Sequence, residues 1–214
     1  MKQSHITLIA VGLIAIALLV AFTLNPQSQE GANAPQDTAQ LIREHSPRIG
    51  SKQAKVVIVE FMDPACGTCR QFHPFVKSLQ QRHGNKILVV LRYAAFHEGS
   101  DGMVAILEAS RKQGKFSEVL ELMFETQKQW TQNHKAYPDR FWPYLKNIDL
   151  DLTRLAQDTK DPSIARIIQQ DLSDAQQLGA DKTPTFFVNA QGLPSFGHQQ
   201  LKQLVETEIA KYYP

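Results

Sequence analysis

The sequence is poor in cysteine, because only Cys66 and Cys69 among its 214 residues carry a thiol. A fold held together by disulfides is excluded, since one bridge across two intervening residues restricts the unfolded chain very little. Dense basic runs are also absent, and 23 Lys and Arg against 21 Asp and Glu leave a net charge of only +2, so we expect no nucleic-acid partner. With 43% hydrophobic and 21% charged residues, the chain can still bury an ordinary core.

Charge is absent near the start of the chain, where no charged residue occurs from Ile6 until Glu30. Residues 6–24 are almost entirely apolar, and a helix of this length spans about 28 Å, close to a hydrocarbon core of about 30 Å. We therefore predict an uncleaved transmembrane signal-anchor over residues 1–24, with Lys2 inside and the remainder facing the oxidising side of the cytoplasmic membrane. A cleaved signal peptide is the alternative, although small residues suited to cleavage do not follow the apolar run.

The hydrophobic pattern beyond the anchor changes character twice. Residues 25–49, rich at first in Gln, Pro, Ala, Ser and Gly, are predicted to be a tether and lead-in. Residues 56–61 and 87–91 are continuous apolar, β-branched runs on either side of a helical pattern, which predicts a strand–helix–strand unit with a parallel pair. Residues 101–178 show only helical periods, which predict helices over residues 103–111, 116–129, 139–145 and 164–178. Strand character then returns at residues 185–188, followed by a turn, a short returning strand over residues 193–195 and a final helix over residues 199–212.

The two cysteines form a C-x-x-C pair directly after the first buried strand, at the start of the helix. This position places the Cys66 sulfur at the helix N-terminus, where unpaired N–H groups and the positive end of the helix dipole favour a thiolate. Zinc is the first alternative, but no suitably spaced pair of histidines follows. A structural disulfide is the second and copper handling the third; a small loop stabilises little, and no Met or His cluster lies nearby. The pattern therefore favours redox chemistry by the two sulfurs.

Three segments together resemble one known family. They are V-E-F at residues 59–61, C-G-T-C-R-Q-F-H-P at residues 66–74 and K-T-P-T-F-F-V-N at residues 182–189. Over residues 50–212 the chain resembles the thioredoxin-fold superfamily and, within it, the DsbA-like thiol-disulfide oxidoreductases of the bacterial periplasm. The resemblance implies an α/β, thioredoxin-like fold of residues 50–100 and 179–214, with an inserted all-helical domain over residues 101–178.

The resemblance also implies roles for particular residues. Cys66 is expected to be the nucleophile and Cys69 the resolving thiol, while Thr183 and Pro184 are expected to form a cis peptide bond packed against the disulfide. Glu60 is implied to be a buried proton acceptor for Cys69; the alternative is a carboxylate that points to solvent, because an unpaired buried carboxylate is costly. We expect His73, which lies four residues after Cys69, to be a surface or packing residue.

These expectations combine into one functional prediction. The protein is predicted to be a membrane-anchored, periplasm-facing oxidoreductase that exchanges disulfides with protein substrates, without metal or organic cofactor, and with a redox partner in the membrane. Oxidase activity is favoured by the oxidising compartment. Isomerase or reductase activity is the alternative, because the Gly-Thr dipeptide departs from the Pro-His or Pro-Tyr of many family members. A peptide-binding module without turnover is the rival from another class.

Overall fold

Two apolar runs form the centre of a five-stranded sheet in the computed structural model, which describes residues 38–214. The sheet order is β1-β3-β2-β6-β7, and only the central pair, β2 and β3, is parallel. The predicted parallel strand–helix–strand unit is thus confirmed. The strands of this sheet are β1 (Arg48–Gly50), β2 (Val56–Met62), β3 (Ile87–Tyr93), β6 (Thr185–Val188) and β7 (Gln191–Gly192). A separate two-stranded ladder joins β4 (Thr131–Gln132) to β5 (Lys135–Ala136).

Nine α-helices surround the sheet within residues 38–214. They are α1 (Thr38–Leu41), α2 (Gly67–His83), α3 (Ser100–Arg111), α4 (Phe116–Glu125), α5 (Gln127–Trp130), α6 (Pro138–Phe141), α7 (Leu152–Asp158), α8 (Pro162–Gln177) and α9 (His198–Tyr212). Two 3₁₀ helices cover Gly84–Lys86 and Trp142–Asn147. The helix predicted after Cys66 and the final helix are both present.

The sheet is covered on both faces. Because side chains alternate along β2, successive residues of this strand pack against different covering elements. Ile58 and Met62 lie in the larger apolar cluster, which includes the buried side of α2, whereas Val59 and Phe61 lie in the smaller cluster with residues from α1 and from the end of α8. Because successive side chains of a strand point to opposite faces, Glu60 shares the α2 face with Ile58 and Met62. The fold therefore directs Glu60 toward the helix that carries the cysteines.

The helical block between β3 and β6 runs from Ser100 to Gln177. Most of its buried apolar residues, among them Trp130 and Phe141, lie in the larger apolar cluster with the sheet and α2, whereas Ala175 lies in the smaller one. Its status as a domain of its own stays a prediction. Helix α7 was not predicted, and it begins where the Asp151 carboxylate accepts a hydrogen bond from the Arg154 N–H at 2.9 Å.

Two other details of the sequence prediction were wrong. The returning strand begins at Gln191 and not at Leu193, because Asn189 and Ala190 alone make the turn, with φ of 47° and 64°. In addition, the lead-in predicted over residues 25–49 joins the fold from residue 38 onward. Leu41 is buried there, and β1 pairs antiparallel with β3.

A buried ionic network fastens this lead-in to the rest of the protein. Arg92, on β3, is fully buried and donates through its guanidinium to the carboxylate of Asp171 at 2.7 Å and to the carbonyl of Leu41 at 2.9 Å. Asp174 accepts from Arg92 and, at 2.8 Å, from Arg43. Since α8 supplies both aspartates, the network joins the lead-in, the sheet and the helical block.

The predicted signal-anchor over residues 1–24 lies outside the described residues, as does most of the predicted tether. From residue 38 onward, no helix is long and apolar enough to cross a membrane.

Candidate active site

The redox loop, which we define as residues 63–66, connects the end of β2 to the start of α2. Asp63 shapes this loop: its carboxylate accepts a hydrogen bond from the Ala65 N–H at 2.8 Å, and its backbone carbonyl accepts one from the Cys66 N–H at 3.0 Å. The same carboxylate accepts from the N–H of Phe96 at 2.8 Å, in the segment after β3. Cys66 is therefore held at the position immediately before the first residue of α2.

Cys66 and Cys69 are free thiols in this structure, and their environments differ. The pKa of Cys66 is lowered to about 5, and a hydrogen bond from the Cys69 thiol is the largest cause. Desolvation opposes this effect, whereas Thr183 and the backbone N–H groups of Cys69 and Thr68 add to it. Those N–H groups lie in the first turn of α2, which has no carbonyl partners to offer them. Cys66 is thus ionised at neutral pH.

Cys69 has the opposite character. It is completely buried on the inner face of α2, and this burial raises its pKa well above the usual range of a thiol. Its hydrogen bond to Cys66 and the nearby charges of Glu60 and Cys66 raise the pKa further. The site therefore holds one ionised cysteine at the start of α2, with 7% of its surface exposed, and one fully buried, protonated cysteine, which are the two kinds of thiol that disulfide exchange uses.

Thr183 and Pro184 reach the redox loop from the strand that follows the helical block. The Thr183–Pro184 peptide bond is cis, and the Thr183 carbonyl lies 3.2 Å from the Cys66 sulfur, where it can accept a hydrogen bond from the Cys66 thiol when that thiol is protonated. The structure therefore brings Thr183 to Cys66 across 117 positions of sequence, and Pro184 follows it through the cis bond.

Glu60 is buried, with only 3% of its surface exposed. Desolvation, and then the negative charge of Cys66, raise the pKa of its carboxyl to about 8. The alternative of a solvent-facing side chain on the surface was wrong, because the α2 face of the sheet is covered. At neutral pH the Glu60 carboxyl is thus mostly protonated, and it interacts electrostatically with the sulfurs of both Cys66 and Cys69.

A cavity of about 290 Å³ extends from Glu60 toward the surface. Apolar residues such as Val76 and Leu91 line its middle, and His73, Lys77 and Glu121 line it farther along α2 and α4. His73 is half-buried, and its Nε2 lies 3.1 Å from the Glu121 carboxylate, which also accepts from Lys77 at 2.6 Å. A cavity of this volume with polar groups can hold several water molecules. Glu60 therefore has space through which a proton can be exchanged with solvent.

Two residues that shape the redox loop, Asp63 and Gln127, were not predicted from the sequence. Asp63 could have been noticed, because an acidic residue just before a loop proline often bonds to backbone N–H groups two residues later. Gln127 gave no local signal, since it reaches the loop from α5, 61 positions after Cys66.

Apolar side chains flank the site. Phe72, one turn after Cys69, packs against the ring of Phe196 at 4.9 Å, and Phe196 is 50% exposed. The ring of Phe96 is also exposed, and its backbone N–H donates to the carboxylate of Asp63 in the redox loop. Within residues 38–214, no group of three or more His, Cys, Asp or Glu side chains is arranged to hold a metal ion.

Comparison with known proteins places this site within a family. A family model described as thioredoxin matches residues 43–207, which is more than half of the chain. The chain belongs to this thioredoxin family. Its C-x-x-C pair and the cis Thr183–Pro184 bond lie within the matched residues. The predicted thioredoxin-like fold is therefore confirmed.

Solved structures of thioredoxin-fold proteins agree with this assignment. A thioredoxin-like oxidoreductase from Silicibacter pomeroyi DSS-3 is 26% identical, with a TM-score of 0.70 over 82% of this chain and 99% of that one. The thiol-disulfide exchange protein α-DsbA2 from Wolbachia pipientis is 20% identical, with a TM-score of 0.67 over 79% and 90% of the two chains. These structures confirm that the fold resembles that of DsbA-like proteins. The predicted enzyme class, a thiol-disulfide oxidoreductase, agrees with membership of the thioredoxin family.

Curated relatives carry the thioredoxin-family stretch inside a longer protein. A Na⁺/H⁺ antiporter NhaA from Herminiimonas arsenicoxydans is 27% identical over 144 residues, which are 67% of this chain and 22% of that protein. This chain spans about a fifth of the length of the curated relatives that it matches.

Proposed function

We propose that this thioredoxin-family protein oxidises thiols of protein substrates in the periplasm, while the segment at residues 1–24 attaches it to the cytoplasmic membrane. Cys66 is the nucleophile, Cys69 the resolving thiol, and Glu60 the group that gives and takes the proton of Cys69. The two sulfurs form the whole redox group, and no metal or organic cofactor takes part. The observation that carries the proposal is the contrast between the low pKa of Cys66 and the high pKa of Cys69.

In the proposed reaction, a substrate thiolate attacks the Cys66 sulfur of the Cys66–Cys69 disulfide. The bond between the two cysteines breaks, a mixed disulfide forms at Cys66, and Cys69 leaves with the electron pair. Because the pKa of Cys69 is high, its sulfur takes up a proton, which the protonated Glu60 can supply. A second substrate thiolate then attacks the substrate sulfur of the mixed disulfide and releases Cys66 as a thiolate. In the competing step, Cys69 gives its proton to the Glu60 carboxylate and attacks the Cys66 sulfur, which resolves the mixed disulfide by re-forming the Cys66–Cys69 bond and releasing the substrate thiolate.

The proposed direction of electron flow follows from the low pKa of Cys66. A thiolate that is strongly stabilised makes the reduced protein more stable, and a protein that is stable in its reduced form is the stronger oxidant. The pKa of about 5 for Cys66 therefore favours oxidation of substrates, even without a histidine between the cysteines. After each cycle the dithiol must be reoxidised, and a redox partner in the membrane is the proposed electron acceptor.

A polypeptide is the proposed substrate because of the surface around the redox loop. Phe96, which bonds to Asp63 of the redox loop, and Phe196, which packs on Phe72 of α2, both expose apolar rings, and unfolded polypeptides expose apolar side chains that match such contacts. Attachment to a membrane is supported by the apolar residues 6–24. It is also supported by the relatives in which the thioredoxin-family stretch belongs to a protein named as an antiporter.

Two measurements test this proposal. Catalysed reduction of insulin by dithiothreitol measures turnover, with the Cys66→Ser variant as control; a folded wild-type protein without turnover would favour a peptide-binding module. Acid quenching of cells followed by thiol alkylation measures the redox state in vivo. We expect the Cys66–Cys69 pair to be mostly a disulfide, and a pair found mostly as free thiols would contradict the oxidase role and favour the isomerase or reductase.

A further inference from the structure

Gln127 is a buried polar residue that neither the C-x-x-C motif nor the proposed reaction accounts for. It is the first residue of α5, within the helical block, and only 3% of its surface is exposed. A primary amide buried to this extent has to find hydrogen-bond partners, because an unpaired amide costs about 1–3 kcal/mol.

All the partners of the Gln127 side chain lie at the redox loop or in the first turn of α2. Its Nε2 group donates to the carbonyl of Pro64 at 2.8 Å and to the carbonyl of Cys66 at 3.0 Å. Its Oε1 atom accepts from the guanidinium Nε of Arg70 at 3.1 Å. Two carbonyl oxygens and one N–H donor fix the orientation of the amide, since the flipped amide would place an oxygen against two carbonyls. An apolar side chain or a carboxylate of equal length cannot satisfy this set.

These three bonds hold the junction between the redox loop and α2. Pro64 lies before the junction, Cys66 at it, and Arg70 one turn beyond it. The Cys66 carbonyl also accepts the first helical bond, from the Arg70 N–H at 3.2 Å. Movement of that carbonyl would therefore move the Cys66 sulfur relative to the N–H groups of Thr68 and Cys69.

Asp63 holds the opposite side of the same loop, through the N–H of Ala65 and the segment after β3. Asp63 lies within the loop, and its bond with the Ala65 N–H forms wherever the local backbone forms. Gln127 is different, because it comes from a separate part of the chain and makes its bonds only when the helical block is packed on the site.

We propose that Gln127 is a positioning residue of the redox site, which fixes the junction between the redox loop and α2 so that the Cys66 sulfur stays over the first turn of the helix. The helical block thereby contributes to the chemistry of Cys66 as well as covering it. The consequence of this inference for catalysis rests on the proposed function. The position of the Cys66 sulfur does not, because it can be tested without a substrate, through the pKa of the thiol.

The central test is the Gln127→Met variant, which keeps the length of the side chain and removes all three hydrogen bonds. Titration of the Cys66 thiolate by its absorbance near 240 nm is expected to give a pKa raised by about one unit. The equilibrium of the Cys66–Cys69 pair with glutathione is expected to shift about tenfold toward the disulfide, because one pKa unit corresponds to that factor.

A matched control is available in the same helical block. Gln113 also makes two side-chain bonds to backbone groups, both on Asp151, at 3.1 and 3.0 Å, and these lie outside the redox loop. Gln113→Met is expected to leave the Cys66 pKa and the glutathione equilibrium unchanged. Equal shifts in both variants, or wild-type values in a folded Gln127→Met protein, would overturn the inference.

A second variant keeps the test decisive if Gln127→Met does not fold. Gln127→Glu preserves the shape of the side chain and its bond with Arg70, but it cannot donate to the two carbonyls and adds a negative charge close to Cys66. Its thiolate pKa is expected to rise by more than one unit, and a wild-type pKa would contradict the inference. A wild-type protein that titrates near pH 5 yet fails to turn over insulin would refute the proposed function and leave this inference intact.

Discussion

At the scale of single residues, the two cysteines differ because one begins a helix and the other lies beneath it. Cys66 meets the N–H groups of the first turn, and the neighbouring thiol donates to it. Cys69 meets apolar side chains and a buried acid. The same two-residue spacing that brings the sulfurs together thus places them in environments of opposite polarity.

Alkylation should follow this difference. In the reduced protein, iodoacetamide at pH 6 is expected to modify Cys66 and to leave Cys69 unmodified, with a rate for Cys66 that is half-maximal near pH 5. The reason is that only the thiolate reacts and only Cys66 is ionised at pH 6. Protein unfolded in urea is the control, in which both cysteines should react at similar rates. Equal modification of the two cysteines in the native protein would contradict the account.

The raised pKa of Glu60 makes the stability of the reduced protein fall as the pH rises. Its pKa rises from 4.5 in the unfolded chain to about 8 in the reduced protein, so the folded state keeps a proton that the unfolded state loses between these values. The free energy of unfolding therefore contains a Glu60 contribution that is fully present below pH 4.5 and is lost as the pH rises through 8.

The Glu60→Gln variant should remove this pH dependence. Its stability relative to the reduced wild-type protein is expected to increase by on the order of 2–4 kcal/mol between pH 5 and pH 8, as measured by urea unfolding. Resolution of mixed disulfides is expected to slow by about tenfold or more, because general acid–base assistance is lost. An unchanged resolution rate over this pH range would show that Glu60 carries no proton for Cys69.

At the scale of elements, the junction between β2 and α2 could be predicted from sequence alone. A strand buried on both faces is a continuous apolar run, and a C-x-x-C pair just after it marks the start of a helix. Helix α7 was missed because it has only seven residues, and its Asp151 cap is a weak signal on its own. The contacts of Gln127 and Arg92 could not be predicted, since no local pattern specifies which distant residue will meet a buried polar group.

The buried Arg92 network provides a test at this scale. Arg92→Met is expected to destabilise the protein by about 3–5 kcal/mol, because Asp171 and Asp174 would keep their charges in the interior without their main partner. The thiolate pKa of Cys66 should stay unchanged in the folded fraction.

The control for this variant is an exposed ion pair. Lys112→Met breaks the contact with Asp161, where Nζ and the carboxylate are 2.6 Å apart, and is expected to change the free energy of unfolding by less than about 1 kcal/mol. Similar losses of stability in the two variants would show that the network does not fasten the lead-in to the fold.

At the scale of the whole molecule, a thioredoxin-family unit follows a predicted membrane anchor. The full chain is expected to sediment with membranes and to resist extraction by high salt, because about 19 apolar residues bind far more strongly than surface charge. A variant lacking residues 2–24, directed to the same compartment by a cleavable signal, should be released. Mature protein whose N-terminal sequence begins after Ala34 would contradict the anchor.

The most direct test of the central claim is a comparison of the mixed disulfides formed by the two single-cysteine variants with insulin. In Cys69→Ser, the Cys66 thiolate should attack an insulin disulfide, break it, and remain bound to one insulin sulfur while the other leaves as a thiol. Mass spectrometry should then find insulin linked to Cys66 in this variant, and almost none linked to Cys69 in Cys66→Ser, where the remaining thiol is buried and protonated. Equal adducts in the two variants, or none through Cys66, would contradict the account.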